Sequence, residues 1–326
     1  MTQLIRVSVG TAGVLGLCRI RMLEAPTTAY LMLYHTGKCS AQCSFCAQAL
    51  NSSTSSEYLS RVTWPAYSLE EVLSLLSKCS AFKRICIQTL VYSGMITDLS
   101  RIIMQVTRRV EVPVSVSINP SSIRDLKILR EMGVERVGIG LDAASKEVFK
   151  RVKKPFSWDL TLRLIRNAAE IFGRGSVTCH LIYGLGDSDE DFLKTVHELH
   201  EMGVYTSLFA FTPVKGTALE RRSPPSPRSY RAIQLAHYLI TCGLVTIEDL
   251  VFDRGVLVGI NVAPQTLKRV VESCEPFVTR GCPGCNRPFF NESPRGPIYN
   301  YPSLQWAKRD IKLIRLQLKQ VLGGFS

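Results

Sequence analysis

Three cysteines in one short segment have the residue type and the spacing for metal chemistry. Cys39, Cys43 and Cys46 follow the pattern Cys-x3-Cys-x2-Cys, and three thiolates on one loop can bind three irons of a cubic [4Fe–4S] cluster. The fourth iron is then open to a ligand from outside the protein. A zinc loop is the alternative interpretation, but a structural zinc site normally takes four protein ligands. The spacing therefore favours a reactive iron–sulfur cluster.

A second cysteine group lies near the C-terminus. Cys274, Cys282 and Cys285 occur in a segment rich in Pro and Gly, which favours a loop that wraps a metal over a helix or strand that fills a core. From spacing alone, zinc and a second iron–sulfur cluster are equally good interpretations. The sequence therefore predicts a second metal site without choosing its metal.

Between residues 29 and 242, short β-branched runs alternate with longer amphipathic segments, as in βα units around a parallel sheet. The six predicted strands are Tyr30–Tyr34, Arg84–Leu90, Pro113–Ile118, Arg136–Leu141, Val177–Ile182 and Tyr205–Phe211. The six predicted helices are Leu69–Lys78, Asp98–Arg108, Ser122–Met132, Leu160–Phe172, Glu190–Met202 and Ser229–Thr241. We therefore predict an α/β fold, a partial (βα)6 barrel of the TIM type, with cysteine-bearing extensions at residues 1–28 and 243–326.

Local signals support these elements and place the chemistry. Ser68 with Glu71 and Ser188 with Asp191 fit helix starts in which a side-chain oxygen satisfies free amides. In a barrel of parallel strands, catalytic groups gather in the loops at the carboxyl ends of the strands. The first of these loops holds the Cys39 group, so we expect the reactive cluster at this end of the barrel.

Composition limits the functional classes. The chain has 326 residues, 46% of them hydrophobic, and its eleven cysteines are too sparse for a small disulfide scaffold. The absence of any bilayer-length apolar run adds to the expectation of a soluble, cytoplasmic protein. The net charge of +13 suggests an anionic partner, such as nucleic acid, an acidic carrier protein or a phosphorylated metabolite. Because the basic groups are not interleaved with aromatic residues, nucleic acid is the less favoured partner.

The first cysteine group resembles the cluster loop of the radical S-adenosylmethionine (SAM) superfamily. The resemblance rests on the cysteine spacing, on Phe45 just before the last cysteine, and on the position after the first strand. It extends from Tyr30 through Phe211. It implies a [4Fe–4S] cluster whose open iron binds SAM, and a 5′-deoxyadenosyl radical that takes hydrogen from an unactivated carbon.

Two further segments, Gly138–Ser145 and His180–Asp187, resemble the biotin synthase and lipoyl synthase branch of that superfamily. The resemblance implies that the Asp142 carboxylate accepts the ribose hydroxyls of SAM, with a helix cap as the alternative role. The other cofactor-binding residues that it implies are Phe45, Ile182, Gly184 and Gly186. The two glycines fit a tight βα turn equally well.

The flanks of the barrel resemble the archaeal type of lipoyl synthase, which works as two related radical SAM subunits. The matching segments are Gly10–Leu17, Pro26–Tyr30 and Gly281–Pro302. This resemblance implies an auxiliary [4Fe–4S] cluster, consumed as a sulfur source, on the second cysteine group. The fourth ligand of that cluster is left open between Cys18 and Ser293.

The implied function is sulfur insertion into an unactivated C–H bond of a protein-bound octanoyl chain. The implied partners are an octanoylated acidic carrier protein or lipoyl domain, a sister radical SAM subunit, and a low-potential electron donor such as ferredoxin. Biotin-synthase-like chemistry on a small molecule is the first alternative. It would use cysteines on inner strands, where Cys86 is suitably placed, but Ser115 replaces one cysteine and Cys179 is displaced by one residue. Radical modification of RNA and a zinc-stabilised binding protein are further alternatives.

Overall fold

The structure is a computed structural model that describes residues 3–322, apart from the side chains of 320–322. The outermost residues of both predicted extensions, 1–2 and 323–326, lie outside the described range. The strands are β1 (Leu4–Val7), β2 (Thr28–Leu33), β3 (Gln42–Cys43), β4 (Tyr58–Leu59), β5 (Val62–Thr63), β6 (Ala66–Ser68), β7 (Arg84–Gln88), β8 (Val114–Ser117), β9 (Arg136–Asp142), β10 (Lys153–Lys154), β11 (Val177–Tyr183), β12 (Tyr205–Ala210), β13 (Leu250–Asp253) and β14 (Val256–Ile260). The helices are α1 (Val9–Val14), α2 (Leu69–Leu76), α3 (Met95–Thr107), α4 (Ile123–Glu131), α5 (Lys146–Val152), α6 (Trp158–Phe172), α7 (Asp189–Glu201), α8 (Pro227–Thr241), α9 (Pro264–Ser273), α10 (Leu304–Arg309) and α11 (Ile311–Leu322).

The centre of the fold is an eight-stranded sheet in the order β12-β11-β9-β8-β7-β2-β1-β6. Strands β2, β7, β8, β9, β11 and β12 pair in parallel, and each corresponds to a predicted strand. This arrangement confirms the α/β fold and the partial (βα)6 barrel. The division into residues 1–28, 29–242 and 243–326 stays a prediction.

The edge of the sheet was not predicted. β1 pairs antiparallel with both β2 and β6, so the N-terminal extension contributes a strand to the barrel sheet. Helix α5 was also missed, because its short amphipathic run directly precedes α6.

Of the two predicted helix caps, Ser188 accepts a hydrogen bond from the Asp191 amide at 3.0 Å. Ser68 precedes α2, but its hydroxyl makes no capping hydrogen bond.

The barrel strands are apolar on one face and polar on the other, because successive side chains of a strand point to opposite faces. On β7, Ile85 and Ile87 are fully buried in the main hydrophobic core, which lies between the sheet and the surrounding helices. The residues that alternate with these apolar ones face the barrel interior, and on the central strands they include Cys86, Gln88, Ser115, Ser117, Thr178 and His180. The interior is therefore a cavity to which the central strands contribute polar side chains, and the main core lies outside the barrel.

The C-terminal extension closes one end of this barrel. The backbone amide of Thr27, just before β2, donates to Asn286 at 3.0 Å, and Asn286 in turn donates to the Ala25 carbonyl at 2.8 Å. Arg84, the first residue of β7, donates to the Pro283 carbonyl at 3.4 Å. The segment that contains the second cysteine group therefore covers the amino ends of the strands. No helix within residues 3–322 is long and apolar enough to span a membrane.

Candidate active site with two cysteine groups

The Cys39–Cys46 loop is built at the carboxyl end of β2, where the sequence predicted it. Cys39 and Cys43 are buried and Cys46 is half-buried. The backbone amide of Val91, in the loop after β7, donates to the Cys39 sulfur at 3.2 Å. A turn joins the other two cysteines, with the Cys46 amide donating to the Cys43 carbonyl at 3.0 Å. The loop is therefore folded into one compact unit against the neighbouring βα loop.

Electrostatics link these thiols to one another. Burial is the largest cause that raises the pKa of Cys46 to about 11, and the nearby Cys39 and Asp142 charges contribute to this rise. Burial also raises the pKa of Cys43, whereas the Lys153 ammonium lowers it. Thiols in such a setting stay protonated until a metal displaces the protons, because the thiolate is the metal ligand.

Asp142 ends β9 in the left-handed region, with φ of 68°. Its Oδ2 forms a buried ion pair with the Lys153 ammonium, which also donates to the Gly140 carbonyl. Lys153 is the first residue of β10, which pairs antiparallel with β3, and its register partner there is Cys43. The ion pair thus connects the cysteine loop to the end of β9. Because Lys153 takes only Oδ2, Oδ1 can still accept a hydrogen bond from a ligand.

A cavity of about 240 Å³ runs through the barrel interior. At the carboxyl end of the strands its wall includes Phe45, Cys46 and Asp142. Apolar and aromatic side chains form much of the remaining wall, namely Leu59, Trp64, Ile182, Phe209, Phe211, Val214 and Phe290. Such a space admits an elongated, largely apolar substrate portion beside a polar reaction centre.

The opposite wall of the same cavity contains three more cysteines, Cys86, Cys282 and Cys285. The Tyr30 hydroxyl lies 3.3 Å from the Cys285 sulfur, and Gln88 donates to the Cys86 sulfur at 3.1 Å. Burial is the largest cause that raises the pKa of Cys86 to about 12, and the Cys282 and Cys285 charges contribute to this rise. The three thiols are therefore close enough to interact.

The structure does not bring Cys274 to this wall. Cys274 is fully buried in the main hydrophobic core, where it follows α9 in a left-handed conformation. Cys86 takes its place beside Cys282 and Cys285. The sequence contains a signal for this exchange, since Cys86 lies between Ile85 and Ile87. Two large apolar neighbours on the core face require the cysteine to point to the barrel interior.

Neither proposed fourth ligand lies at the cavity wall. The Cys18 sulfur lies 3.8 Å from the Val9 carbonyl, near Tyr67 at the sheet edge. Ser293 accepts a hydrogen bond from the Arg295 amide at 3.2 Å, in a turn. Both residues therefore have local structural contacts away from the two cysteine groups.

Of the predicted cofactor-binding residues, Phe45 and Ile182 line the cavity, whereas Gly184 and Gly186 do not. Gly184 and Gly186 follow β11 with φ of 107° and 117°. A methyl group at Gly184 would lie 3.2 Å from Phe211 Cβ and 3.0 Å from Pro225. These glycines form the tight βα turn that was the alternative interpretation. Cys179 is buried on the outer face of β11, so it is not part of the cavity wall.

Comparison with known proteins identifies the family. The family model of the radical SAM superfamily matches residues 33–199, a range that contains the Cys39–Cys46 loop and Asp142. The chain belongs to the radical SAM superfamily. The curated relatives that it matches include biotin synthases at low identity. A biotin synthase from Persephonella marina is 30% identical over 205 residues, which cover 59% of this chain and 56% of the relative.

Other relatives and solved structures agree with this family. A biotin synthase from Desulfatibacillum aliphaticivorans is 27% identical over 240 residues, covering 68% of this chain and 70% of the relative. Methylornithine synthase has a similar structure with a TM-score of 0.51 at 16% identity, covering 65% of this chain and 62% of that one. The hydrogenase maturase HydG from Carboxydothermus hydrogenoformans gives 0.53 at 17% identity, over 75% and 56% of the two chains. The radical SAM chain spans about half the length of the first curated relatives that it matches.

The residues present fit the cofactors of a radical SAM enzyme. Three buried or half-buried thiols share one loop, and the Val91 amide already donates to one of them, as suits a cluster held by thiolates. Within the described residues, no three His, Cys, Asp or Glu side chains converge on a single metal ion. A cubic cluster distributes its thiolates over separate irons, so a shared cavity wall is the relevant geometry. Cys39, Cys43 and Cys46 would hold the [4Fe–4S] cluster, which with SAM supplies the 5′-deoxyadenosyl radical.

Proposed function

We propose that this radical SAM enzyme inserts sulfur into an unactivated C–H bond of a protein-bound octanoyl chain, as one subunit of an archaeal-type lipoyl synthase. The observation that carries the proposal is that Cys46 of the cluster loop lines one end of a cavity with largely apolar sides, whereas Cys86, Cys282 and Cys285 line the other end. A radical source and a sulfur source have to reach the same substrate carbon. With both clusters bound, the radical SAM cluster and SAM would supply the radical that removes a hydrogen atom. The second cluster would supply the sulfur that bonds to the resulting carbon radical, and its iron would take up the electron released.

The chain's own side chains support the handling of substrate and cofactor. The free Oδ1 of Asp142 is available to a ribose hydroxyl of SAM, while Lys153 fixes the carboxylate through Oδ2. Phe45 and Ile182 line the cavity at the same end and would pack against the adenosyl group. The aromatic wall formed by Trp64 and Phe290 would exclude water from an alkyl chain, which protects a reactive radical from quenching.

A basic rim at the carboxyl end of the barrel supports an acidic carrier as the partner. Two exposed basic groups far apart in sequence lie at this end. Arg151 is in the last turn of α5 and Lys154 is in β10, whereas Arg221 and Arg222 lie in the loop between β12 and α8. The structure brings them together around Gly186. A methyl group there would lie 2.8 Å from Arg151 Nη2 and 3.2 Å from Arg222 Nη2. A carrier docked on this rim would deliver its acyl chain to the open end of the cavity, and opposite charges would steer its approach.

The test uses the anaerobically reconstituted protein with SAM, a low-potential reductant such as reduced ferredoxin, and an octanoylated lipoyl domain. Binding of the octanoylated domain at low salt is measured first, because it requires no sister subunit. Product is then followed by mass spectrometry, with 5′-deoxyadenosine measured in parallel. Binding followed by a gain of one sulfur atom supports the proposal. Failure to bind, or binding with 5′-deoxyadenosine but no thiolated product in the presence of the sister subunit, contradicts it.

A second candidate is thiolation of a small molecule, which the name of the relatives, biotin synthase, favours. The two functions differ in whether a protein carrier is needed. The same reconstituted protein is therefore assayed for biotin formation without any carrier. Biotin as the product, with no turnover of the octanoylated domain, would replace the first proposal by the second.

A further inference from the structure

The closed end of the barrel brings together three cysteines, Cys86, Cys282 and Cys285, that differ from the predicted set by one member. We propose that Cys86, Cys282 and Cys285 hold a [4Fe–4S] cluster there, and that Cys274 is a core residue and not a ligand. The inference deepens the proposed function, because this cluster would be the sulfur source. It rests on positions in the structure and can be tested without any substrate.

The strand register places Cys86 on the inner wall. Cys86 pairs with Tyr30 on β2 and with Ser115 on β8, and the three residues form one row around the barrel interior. All three line the cavity. The row lies towards the amino ends of the strands, which is the end that the C-terminal segment covers. A thiol from a rigid central strand therefore faces the loop that carries the other two thiols.

Cys282 and Cys285 span the floor of the barrel beside this row. The Cys285 sulfur lies 3.3 Å from the Tyr30 hydroxyl on β2, and the Cys282 sulfur lies 3.9 Å from the Thr178 hydroxyl on β11. Tyr30 is thus adjacent to Cys285 by direct contact and to Cys86 by register. The hydrogen bonds from Thr27 and Arg84 to the loop fix it in this position. Three thiols from a strand and a loop share one wall.

The surroundings suit a negatively charged thiolate cluster. Gln88 donates to the Cys86 sulfur at 3.1 Å, and donors of this kind lower the cost of burying thiolates. The Arg287 guanidinium lies 3.9 Å from the centre of the Phe209 ring on the same wall, and its Nε is buried without a hydrogen-bond partner among the described residues. A cation with an unused donor at a thiolate-rich wall stabilises an anionic group bound there. Soft thiolate ligands select iron–sulfur clusters or zinc.

Cys274 does not share the position on the cavity wall or the polar contacts described for Cys86, Cys282 and Cys285. It ends α9 inside the main hydrophobic core, and the charges that influence it are Lys308 and Arg315 on the C-terminal helices. It does not line the cavity. Its role is to fill the core between α9 and the C-terminal helices, which is an ordinary role for a buried cysteine.

The decisive experiment counts iron and acid-labile sulfide in a background where Cys39, Cys43 and Cys46 are replaced by alanine. Reconstitution of that background is expected to give one cubic cluster by Mössbauer spectroscopy. Adding Cys86→Ala, Cys282→Ala or Cys285→Ala is expected to abolish it. The controls Cys274→Ala and Cys179→Ala remove thiols that are buried away from the cavity and are expected to retain it. Circular dichroism checks that each variant is folded.

Three outcomes would overturn the site. They are loss of the cluster with Cys274→Ala but not with Cys86→Ala, binding of zinc in place of iron, and no metal in the background variant. If Cys86→Ala fails to fold, Cys86→Ser replaces it, and an altered Mössbauer signal from one iron supports ligation whereas an unchanged signal contradicts it. The iron and sulfide content and the Mössbauer spectrum are measured without substrate. A confirmed cluster in a protein that does not thiolate the octanoyl chain would therefore refute the proposed function and leave the site standing.

Discussion

The Lys153 ammonium and the Asp142 carboxylate form an ion pair whose side chains are only 1% and 14% exposed. Lys153 lies on β10, opposite Cys43, and Asp142 ends the fourth barrel strand. The pair therefore joins the cluster loop to the proposed ribose site of SAM. Breaking one partner of a buried pair leaves an uncompensated charge, which costs more than the pair itself contributes.

Replacing Lys153 by methionine should destabilise the fold by about 3–5 kcal/mol, because the Asp142 charge is left unpaired. The double variant Lys153→Met/Asp142→Asn, which leaves no charge, should recover part of that loss. Anaerobic urea denaturation followed by circular dichroism measures both. Equal stability of the single variant and the wild type would show that the ion pair does not hold the loop.

Ser117 on β8 lines the cavity between the two cysteine groups, so its size controls the space for substrate. Ser117→Phe should block the octanoyl chain while leaving the cluster loop intact, at a stability cost of about 1–3 kcal/mol for overpacking. We expect SAM cleavage to continue without thiolated product, so that the ratio of 5′-deoxyadenosine to product rises. The control Ser117→Ala removes only the hydroxyl and should keep the ratio of the wild type. An unchanged ratio in the phenylalanine variant would place the substrate elsewhere.

The six βα units could be predicted because hydrophobic periodicity and helix caps are local signals. β1 could not be found this way, since Leu4–Val7 is short and becomes a strand only by pairing with the distant β2. The position of Cys86 beside Cys282 and Cys285 was missed for the same reason. Cys274 is close to Cys282 in sequence, whereas Cys86 reaches it only because the C-terminal segment folds back under the barrel. Spacing identifies ligands within one loop, and a site shared by a strand and a distant loop depends on the tertiary fold.

His237 on α8 is buried, and its Nε2 contacts the Thr206 hydroxyl at 2.5 Å. Burial is the largest cause that lowers the pKa of His237 to about 3, and the nearby Arg280 charge contributes to this lowering. In the unfolded chain His237 is protonated below about pH 6.5, whereas in the folded chain it stays neutral down to about pH 3. The free energy of unfolding therefore falls as the pH drops from about 6.5 towards 3. Between pH 7.5 and pH 5 the titration of His237 alone should lower the free energy of unfolding by about 2 kcal/mol.

His237→Gln keeps a hydrogen-bonding side chain beside Thr206 and removes the titration. The difference in unfolding free energy between wild type and variant should therefore shift by about 2 kcal/mol between pH 7.5 and pH 5, in favour of the variant. Paired urea titrations at the two pH values measure that shift. His180, whose pKa burial lowers to about 4, titrates equally in both proteins and cancels in the difference. A difference that does not change with pH would mean that His237 takes up its proton in the folded protein at the same pH as in the unfolded chain.

The basic rim gives the most direct test of the partner. Arg151→Glu/Arg222→Glu reverses two exposed charges that lie on either side of Gly186, and should weaken binding of an acidic octanoylated domain by roughly tenfold at low salt. The effect should shrink as salt is added, because exposed charges are screened beyond about 10 Å at 0.1 M. Calorimetry or fluorescence anisotropy across a salt series measures both trends.

The matched control is Lys78→Glu/Arg108→Glu, which changes the net charge by the same amount at the opposite end of the barrel. Lys78 follows α2 and Arg108 follows α3, and both are exposed. This control should bind the carrier almost as the wild type does, because steering depends on where the charge lies as well as on its sum. Equal weakening by both double variants would mean that overall charge, and not the rim, attracts the carrier. In that case the open end of the cavity would lose its assignment as the docking surface.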